Sequence, residues 1–165
     1  MDLEDSMAKS KDTFTTRGGW WVVAQFGLLA VVIGVRFIEL PFAKWPFEAH
    51  RWVGATLMTV GVLQLGKAAL DLGHSLTPMP KPTDQSTLKT NGIYRFVRHP
   101  IYGGLMMLCG GFDMALPSIG AMLPAICLIP LLIYKARSEE VWLRDRYPEY
   151  NDYAQRTRKF LIGIW

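Results

Sequence analysis

Four apolar stretches, Trp20–Ile38, Trp52–Leu70, Ile101–Leu116 and Ser118–Tyr134, divide the chain, and most of its charge lies between and after them. A helix needs about 20 largely apolar residues to cross a hydrocarbon core, and the first two stretches come close to that length. Trp20 and Trp21 at one end of the first, with Arg36 and Glu39 at the other, suit interfacial anchoring and snorkelling. The chain therefore reads as an all-α integral membrane protein with about four transmembrane helices and a polar C-terminal helical segment. Composition alone would not show this, because a hydrophobic share of 50% is ordinary for a soluble protein. Distribution decides it.

The 165 residues suffice for one domain, expected to span the whole chain, with a tail and two spans over 1–72 and the rest over 73–165. Met1–Thr16 is polar and mixed in charge. No small-residue cleavage site follows promptly after Arg17-Gly18-Gly19, so the first apolar stretch is read as a retained span and not a signal peptide. A net charge of +4 would allow nucleic acid as a partner, but no basic helix stands on a soluble domain. Anionic lipid headgroups fit the basic loops better. Cys109 and Cys127 lie in apolar runs without CxxC spacing and are expected as buried free thiols.

Gly54, Gly61 and Gly66 in the second stretch are expected to permit close helix packing, with Gln64 and Lys67 facing protein or headgroups. Ser75–Ser86 is too rich in proline for a helix, and reads either as a linker or as a stiff wall of a pocket. The third stretch is short and glycine-rich, with Pro100 suited to its first turn and Asp113 placed near the far interface. It should pair with the fourth as an antiparallel hairpin. Beyond Lys135 the chain turns polar, continues as helix, and breaks near Pro148; Tyr150, Tyr153 and Thr157 then share one face. The final F-L-I-G-I-W could return to the membrane interface.

Lys and Arg number four in the loop before the third stretch and seven from Lys135 onward. With four spans, the positive-inside rule then places both termini and these basic segments in the cytoplasm. The same topology brings His99 and the Glu139-Glu140 pair together at the mouth of the hairpin. That mouth offers carboxylates from Glu139 and Glu140, cations from Arg98, Lys135 and Arg137, the His99 imidazole, and the phenols of Tyr94 and Tyr102. Each has an ordinary explanation alone: lipid phosphates for Arg95 and Arg98, a partner such as Arg144 for the glutamates, a helix entry for His99-Pro100. Together they suit a zwitterion that carries a sugar, with aromatic faces for a sulfonium or an adenine. GxGxxG, HExxH, GxSxG and Cys/His metal spacings are absent.

The segment G-I-Y-R-F-V-R-H-P-I-Y-G-G at 92–104, followed by E-E-V-W-L at 139–143 and Y-P-E-Y-N-D-Y at 147–153, resembles the isoprenylcysteine carboxyl methyltransferase family, a relative of membrane phospholipid N-methyltransferases. The resemblance runs from about Gly73 to the C-terminus. It implies an integral membrane enzyme that uses S-adenosyl-L-methionine. Carried over by position, it implies that Ser86, Thr87, Leu88, Lys89, Tyr94, His99, Pro100, Ile101, Tyr102 and Gly103 line the cofactor pocket, and that Glu139 completes it with Glu140 beside it. A basic residue one turn before the glutamates meets substrate in that family; Lys135 stands there in place of the usual Arg, and Arg137 is the substitute candidate. The implied acceptor is lipophilic, such as a prenylated carboxylate, and enters from the bilayer. A carboxylate needs no general base, whereas an amine would pass a proton to Glu140 or water. Phospholipid amines remain an alternative acceptor class. An NADPH-dependent reductase, suggested by the R-H-P-x-Y-x-G ending that sterol reductases share, and a non-catalytic assembly partner remain as other classes. The acceptor's identity and the oligomeric state are open at this point.

Overall fold

The computed structural model describes residues 14–15, 17–38, 44–77, 79, 87–117 and 119–161. The helices are α1 (Gly19–Gly34), α2 (His50–Leu72), α3 (Pro100–Met114), α4 (Leu123–Arg146) and α5 (Tyr150–Arg156), with short 3-10 turns at Val35–Phe37, Gly73–Ser75, Gly92–Arg95 and Ile119–Met122. Among the described residues there is no β-strand; Val97 and Arg158 form an isolated parallel bridge. The protein is an all-α membrane protein. Three segments, Gly19–Phe37, His50–Ser75 and Ile119–Arg146, are long and apolar enough to cross a bilayer. Large apolar side chains such as Phe26, Leu63 and Ile126 point outward from them, as lipid contact requires.

The expected third span is the exception. α3 has 15 residues, about 22 Å of helix at 1.5 Å per residue, which is short of a hydrocarbon core of about 30 Å. Its main partner is α2 and not α4. The two run antiparallel along a glycine seam in which Gly54 faces Gly111 and Gly61 faces Gly104. A Cβ on Gly61 would lie 2.7 Å from the Gly104 carbonyl oxygen, and one on Gly54 would lie 2.7 Å from that of Gly111. Backbone meets backbone there, so neither side can yield. Gly61 is the expected packing notch, but Gly66 faces open space and packs nothing.

α4 does pack beside α3, completing the expected hairpin, and α1 closes on α4. Val32, Leu105, Cys109, Ala125, Leu128 and Leu132 form the core between these three helices. Cys109 is buried and free as expected, whereas Cys127 is free but exposed, on the outward face of α4. Asp113, in the last turn of α3, is fully buried against protein. At the same end, the Trp45 indole donates to the Leu116 carbonyl at 2.9 Å and stacks on His50.

Because the seam excludes any side chain, we predict that Gly61→Leu lowers the melting temperature in detergent by the equivalent of about 1–3 kcal/mol of overpacking, while Gly66→Leu leaves it unchanged. Differential scanning fluorimetry on both variants checks this.

Candidate functional site

The site is built where the turn at Gly92–Arg95, the start of α3 and the second half of α4 converge. Gly92 has φ 59°, and any Cβ there would collide with the Asp71 carboxylate at the end of α2. That close approach lets Asp71 Oδ2 accept from the Ile93 N–H at 2.7 Å, while Lys67 pairs with the other oxygen. The turn is thereby pinned, and Tyr94 is held buried with its hydroxyl toward the Ala68 carbonyl. Tyr153 from α5 donates to the Tyr94 carbonyl at 2.7 Å.

The next residues are strapped by the C-terminal segment. The Arg98 and His99 N–H groups donate to the Arg158 and Lys159 carbonyls, each at 2.8 Å, and the Arg158 N–H donates to the Phe96 carbonyl at 2.9 Å. Gln64 of α2 donates to both the Pro100 and Phe160 carbonyls. Pro100 opens α3, as its position suggested. Residues 162–165 lie outside the described region, and so does the expected return of the whole tail to the interface.

Glu140 is the electrostatic centre. Its buried carboxylate meets Arg98 Nε at 3.2 Å, His99 Nε2 at 3.2 Å, Lys159 Nζ at 3.1 Å and Arg144 Nη2 at 3.5 Å. Arg98 is further held by the Ala154 carbonyl and by Thr157. Arg98 therefore points inward and does not serve lipid phosphates, whereas Arg95 is exposed beside the Phe96 ring. His99 Nδ1 faces Glu139 Oε2 at 3.5 Å. Both ring nitrogens thus face carboxylates, an arrangement that only the doubly protonated imidazolium satisfies in full. Burial opposes that charge, but the hydrogen bonds and charges of Glu139 and Glu140 outweigh it and raise the His99 pKa.

Beside this cluster lies a cavity of about 340 Å³ lined by Tyr94, Arg98, His99, Pro100, Ile101, Tyr102, Lys135 and Glu139, with Leu72, Leu76, Thr77 and Gln25. It adjoins a smaller one of about 100 Å³ walled by Thr87, Leu88, Lys89, Leu143, Tyr147, Tyr150 and Tyr153. The two share Leu72, Thr77, Tyr94, Arg98 and Glu139. Tyr102 stacks on His99 with 5.5 Å between ring centroids, and its hydroxyl donates to Glu139 Oε2 at 3.0 Å. Lys135 Nζ lies 5.2 Å from the Tyr102 ring centroid and donates to Gln25 Oε1 at 2.6 Å.

The residues singled out by sequence separate accordingly. Thr87, Leu88, Lys89, Tyr94, His99, Pro100, Ile101, Tyr102, Lys135 and Glu139 all line the joined cavities. Glu140 stands behind them, its oxygens taken by cations. Arg137 is exposed and lies over Tyr134 on the outer side of α4; 100° per residue turns it away from the face that Lys135 and Glu139 share. Gly103 lines no wall, because it packs against the Phe160 carbonyl and Gln64. Ser86 lies outside the described residues. Ser75, Thr77 and Met79 line the cavities, favouring the wall reading of the described part of the proline-rich stretch.

Gln25 was missed. The only signal was a single amide in the otherwise apolar stretch around it, and polar groups at membrane depth usually face protein. Among the described residues, no group of three or more His, Cys, Asp or Glu side chains is placed to hold a metal.

Comparison with known proteins adds independent findings. The family model described as phospholipid methyltransferase matches residues 49–150. The nickel-cobalt-cadmium resistance protein NccN of Alcaligenes xylosoxydans xylosoxydans is 32% identical over 161 residues, covering 90% of this chain and 67% of that protein. The cobalt-zinc-cadmium resistance protein CzcN of Cupriavidus metallidurans is 29% identical, covering 93% and 68%. Protein-S-isoprenylcysteine O-methyltransferase B of Arabidopsis thaliana is 26% identical over 143 residues, covering 82% and 73%.

The His99 cluster generates a pH prediction. Because folding raises the His99 pKa, its contribution to stability is complete below the ordinary value of 6.5 and is lost as pH rises through the raised value. Melting temperature measured from pH 5 upward should therefore fall across that window, and His99→Gln should flatten this component.

Proposed function

The chain belongs to the phospholipid methyltransferase family, and on that premise we propose that it transfers a methyl group from S-adenosyl-L-methionine to a lipophilic acceptor of the isoprenylcysteine-carboxylate kind. The observation that carries this reading is the convergence of Glu139 with His99 and Tyr102 on one cavity flanked by Lys135 and Lys89. Residues of opposite charge and aromatic faces meet there, as a zwitterionic nucleoside requires. The joined volume falls in the range of about 300–1,000 Å³ common for small-molecule sites.

The fit can be followed group by group. Glu139 accepts from Tyr102 and retains lone pairs for an ammonium or a ribose hydroxyl. Lys89 supplies a donor for a carboxylate. The Tyr94 and Tyr102 rings can lie against a sulfonium. When bound, S-adenosyl-L-methionine supplies an electrophilic methyl on that sulfonium. The protein's part is to hold both reactants in line and to exclude water. His99 is clamped between two carboxylates that favour its protonated form, so its part is to orient Glu139 and not to abstract a proton. In this reading Ser86, Thr87 and Leu88 belong to the cofactor wall, Gly103 serves by packing, and the whole chain acts as one domain.

Lys135 favours a carboxylate acceptor. Its buried amine has a neutral amide as its hydrogen-bond partner and faces the larger cavity, where it supplies positive charge on the side away from its Gln25 contact. A carboxylate is attracted there and arrives already ionised, whereas a protonated amine is repelled. Glu140, surrounded by cations, is poorly placed to take a proton from an amine. Arg137, facing outward, leaves the substrate contact to Lys135. In this reading α3 counts as a short fourth crossing, and the basic loop and tail put both termini and the cavity mouth on the cytoplasmic side.

Isothermal titration of the detergent-purified protein tests the reading. The parent should bind S-adenosyl-L-methionine saturably and NADPH not at all. His99→Ala and Glu139→Ala should each insert normally but bind at least about tenfold more weakly, since a charge-assisted hydrogen bond is worth about 1.5–3 kcal/mol. Normal affinity in both variants would remove the site assignment. Binding of NADPH in place of S-adenosyl-L-methionine would support the reductase class.

A further inference from the structure

We infer that Tyr150 is a further ligand-binding residue, whose phenolic O–H donates a hydrogen bond to the nucleoside part of the cofactor in the smaller cavity. The inference rests on the reading above that the joined cavities take S-adenosyl-L-methionine. Tyr150 begins α5 and is 1% exposed, the largest of the fully buried side chains. Its ring is fixed by an edge contact with Tyr153, centroids 5.8 Å apart, and by the Arg144 guanidinium 5.9 Å away. It lines the smaller cavity. Yet its hydroxyl has no hydrogen-bond partner among the described residues.

The other tyrosines of the cluster differ on this point. Tyr94 faces the Ala68 carbonyl, Tyr102 donates to Glu139, and Tyr153 donates to the Tyr94 carbonyl. A buried hydroxyl left without a partner costs about 1–3 kcal/mol, and phenylalanine would fill the same packing space without that cost. The hydroxyl oxygen is itself enclosed while the side chain lines the cavity, so a partner that arrives there reaches it once the side chains between them shift. Burial and the charges of Glu140 and Glu139 raise the phenol pKa against the opposing effect of Arg98. The group stays protonated and offers a donor. The surrounding wall of Tyr94, Tyr147, Tyr153, Leu88 and Leu143 suits a flat base and its sugar, which carry ring nitrogens and hydroxyl oxygens as acceptors.

Tyr150→Phe tests this in the 165-residue chain, with two readouts. Without ligand its melting temperature should equal or exceed that of the parent, because the removed hydroxyl had no partner. Its affinity for both S-adenosyl-L-methionine and S-adenosylhomocysteine, by isothermal titration, should fall about tenfold, the loss of one net hydrogen bond. A lower melting temperature without ligand would mean that the hydroxyl serves the fold, and would overturn the inference. Unchanged affinity in a variant whose parent binds would overturn it while leaving the cofactor reading intact. A parent that binds neither compound would overturn both.

Discussion

The buried carboxylate of Glu140 is the interaction on which the rest of the site depends. Four basic side chains reach it from three parts of the chain: Arg98 and His99 before α3, Arg144 one turn along α4, and Lys159 in the tail. A buried charge is tolerated only when paired and hydrogen-bonded. Satisfying this one carboxylate therefore requires all three segments to be in place. Glu139 is one residue away on the same helix, so its position over the cavity follows from the anchoring of its neighbour. One glutamate organises; the other is left with acceptor capacity for a ligand.

The membrane part supports this arrangement through packing of a different kind. In lipid no hydrophobic driving force draws helix to helix, so close contact has to come from small residues that let backbones approach. The Gly54–Gly111 and Gly61–Gly104 contacts supply it and set the register of α3 on α2. That register carries His99 and Tyr102, at the start of α3, to the level of Glu139. Gln64, donating to Pro100 and Phe160, and Asp71, capping the Gly92 turn, extend the same contact to the water-facing end. On the opposite side, α1 joins the cavity through Gln25 and Lys135. A helix with little buried surface thus still contributes a wall.

Much of the site was legible beforehand, because its residues sit in two local clusters whose meeting follows from chain topology. A loop before one helix and the continuation of the next lie at the same end of a hairpin whatever the details of packing. The Tyr150, Tyr153 and Thr157 face was legible for the same reason, since helical periodicity is local. Residues one or two apart were not separable in this way. Glu139 and Glu140 look alike in sequence, and so do Lys135 and Arg137 as cations. Helix rotation and the tail then divide them into cavity wall, ion cluster and outer surface.

By itself the sequence determined an all-helical membrane architecture, the two polar clusters, and their family, because these depend on composition runs, spacing and local motif. The tertiary structure decided which carboxylate lines the cavity, that Lys135 and not Arg137 faces it, and that a lone glutamine of α1 belongs to it. It also decided that α3 packs on α2 along glycines, and that Gly66 and Gly103, unlike Gly61, play no part in that seam. The physical reason is the same in each case. Orientation about a helix axis, and the partners that neutralise a buried charge, are settled by contacts between residues far apart in the chain, and no local pattern encodes those contacts.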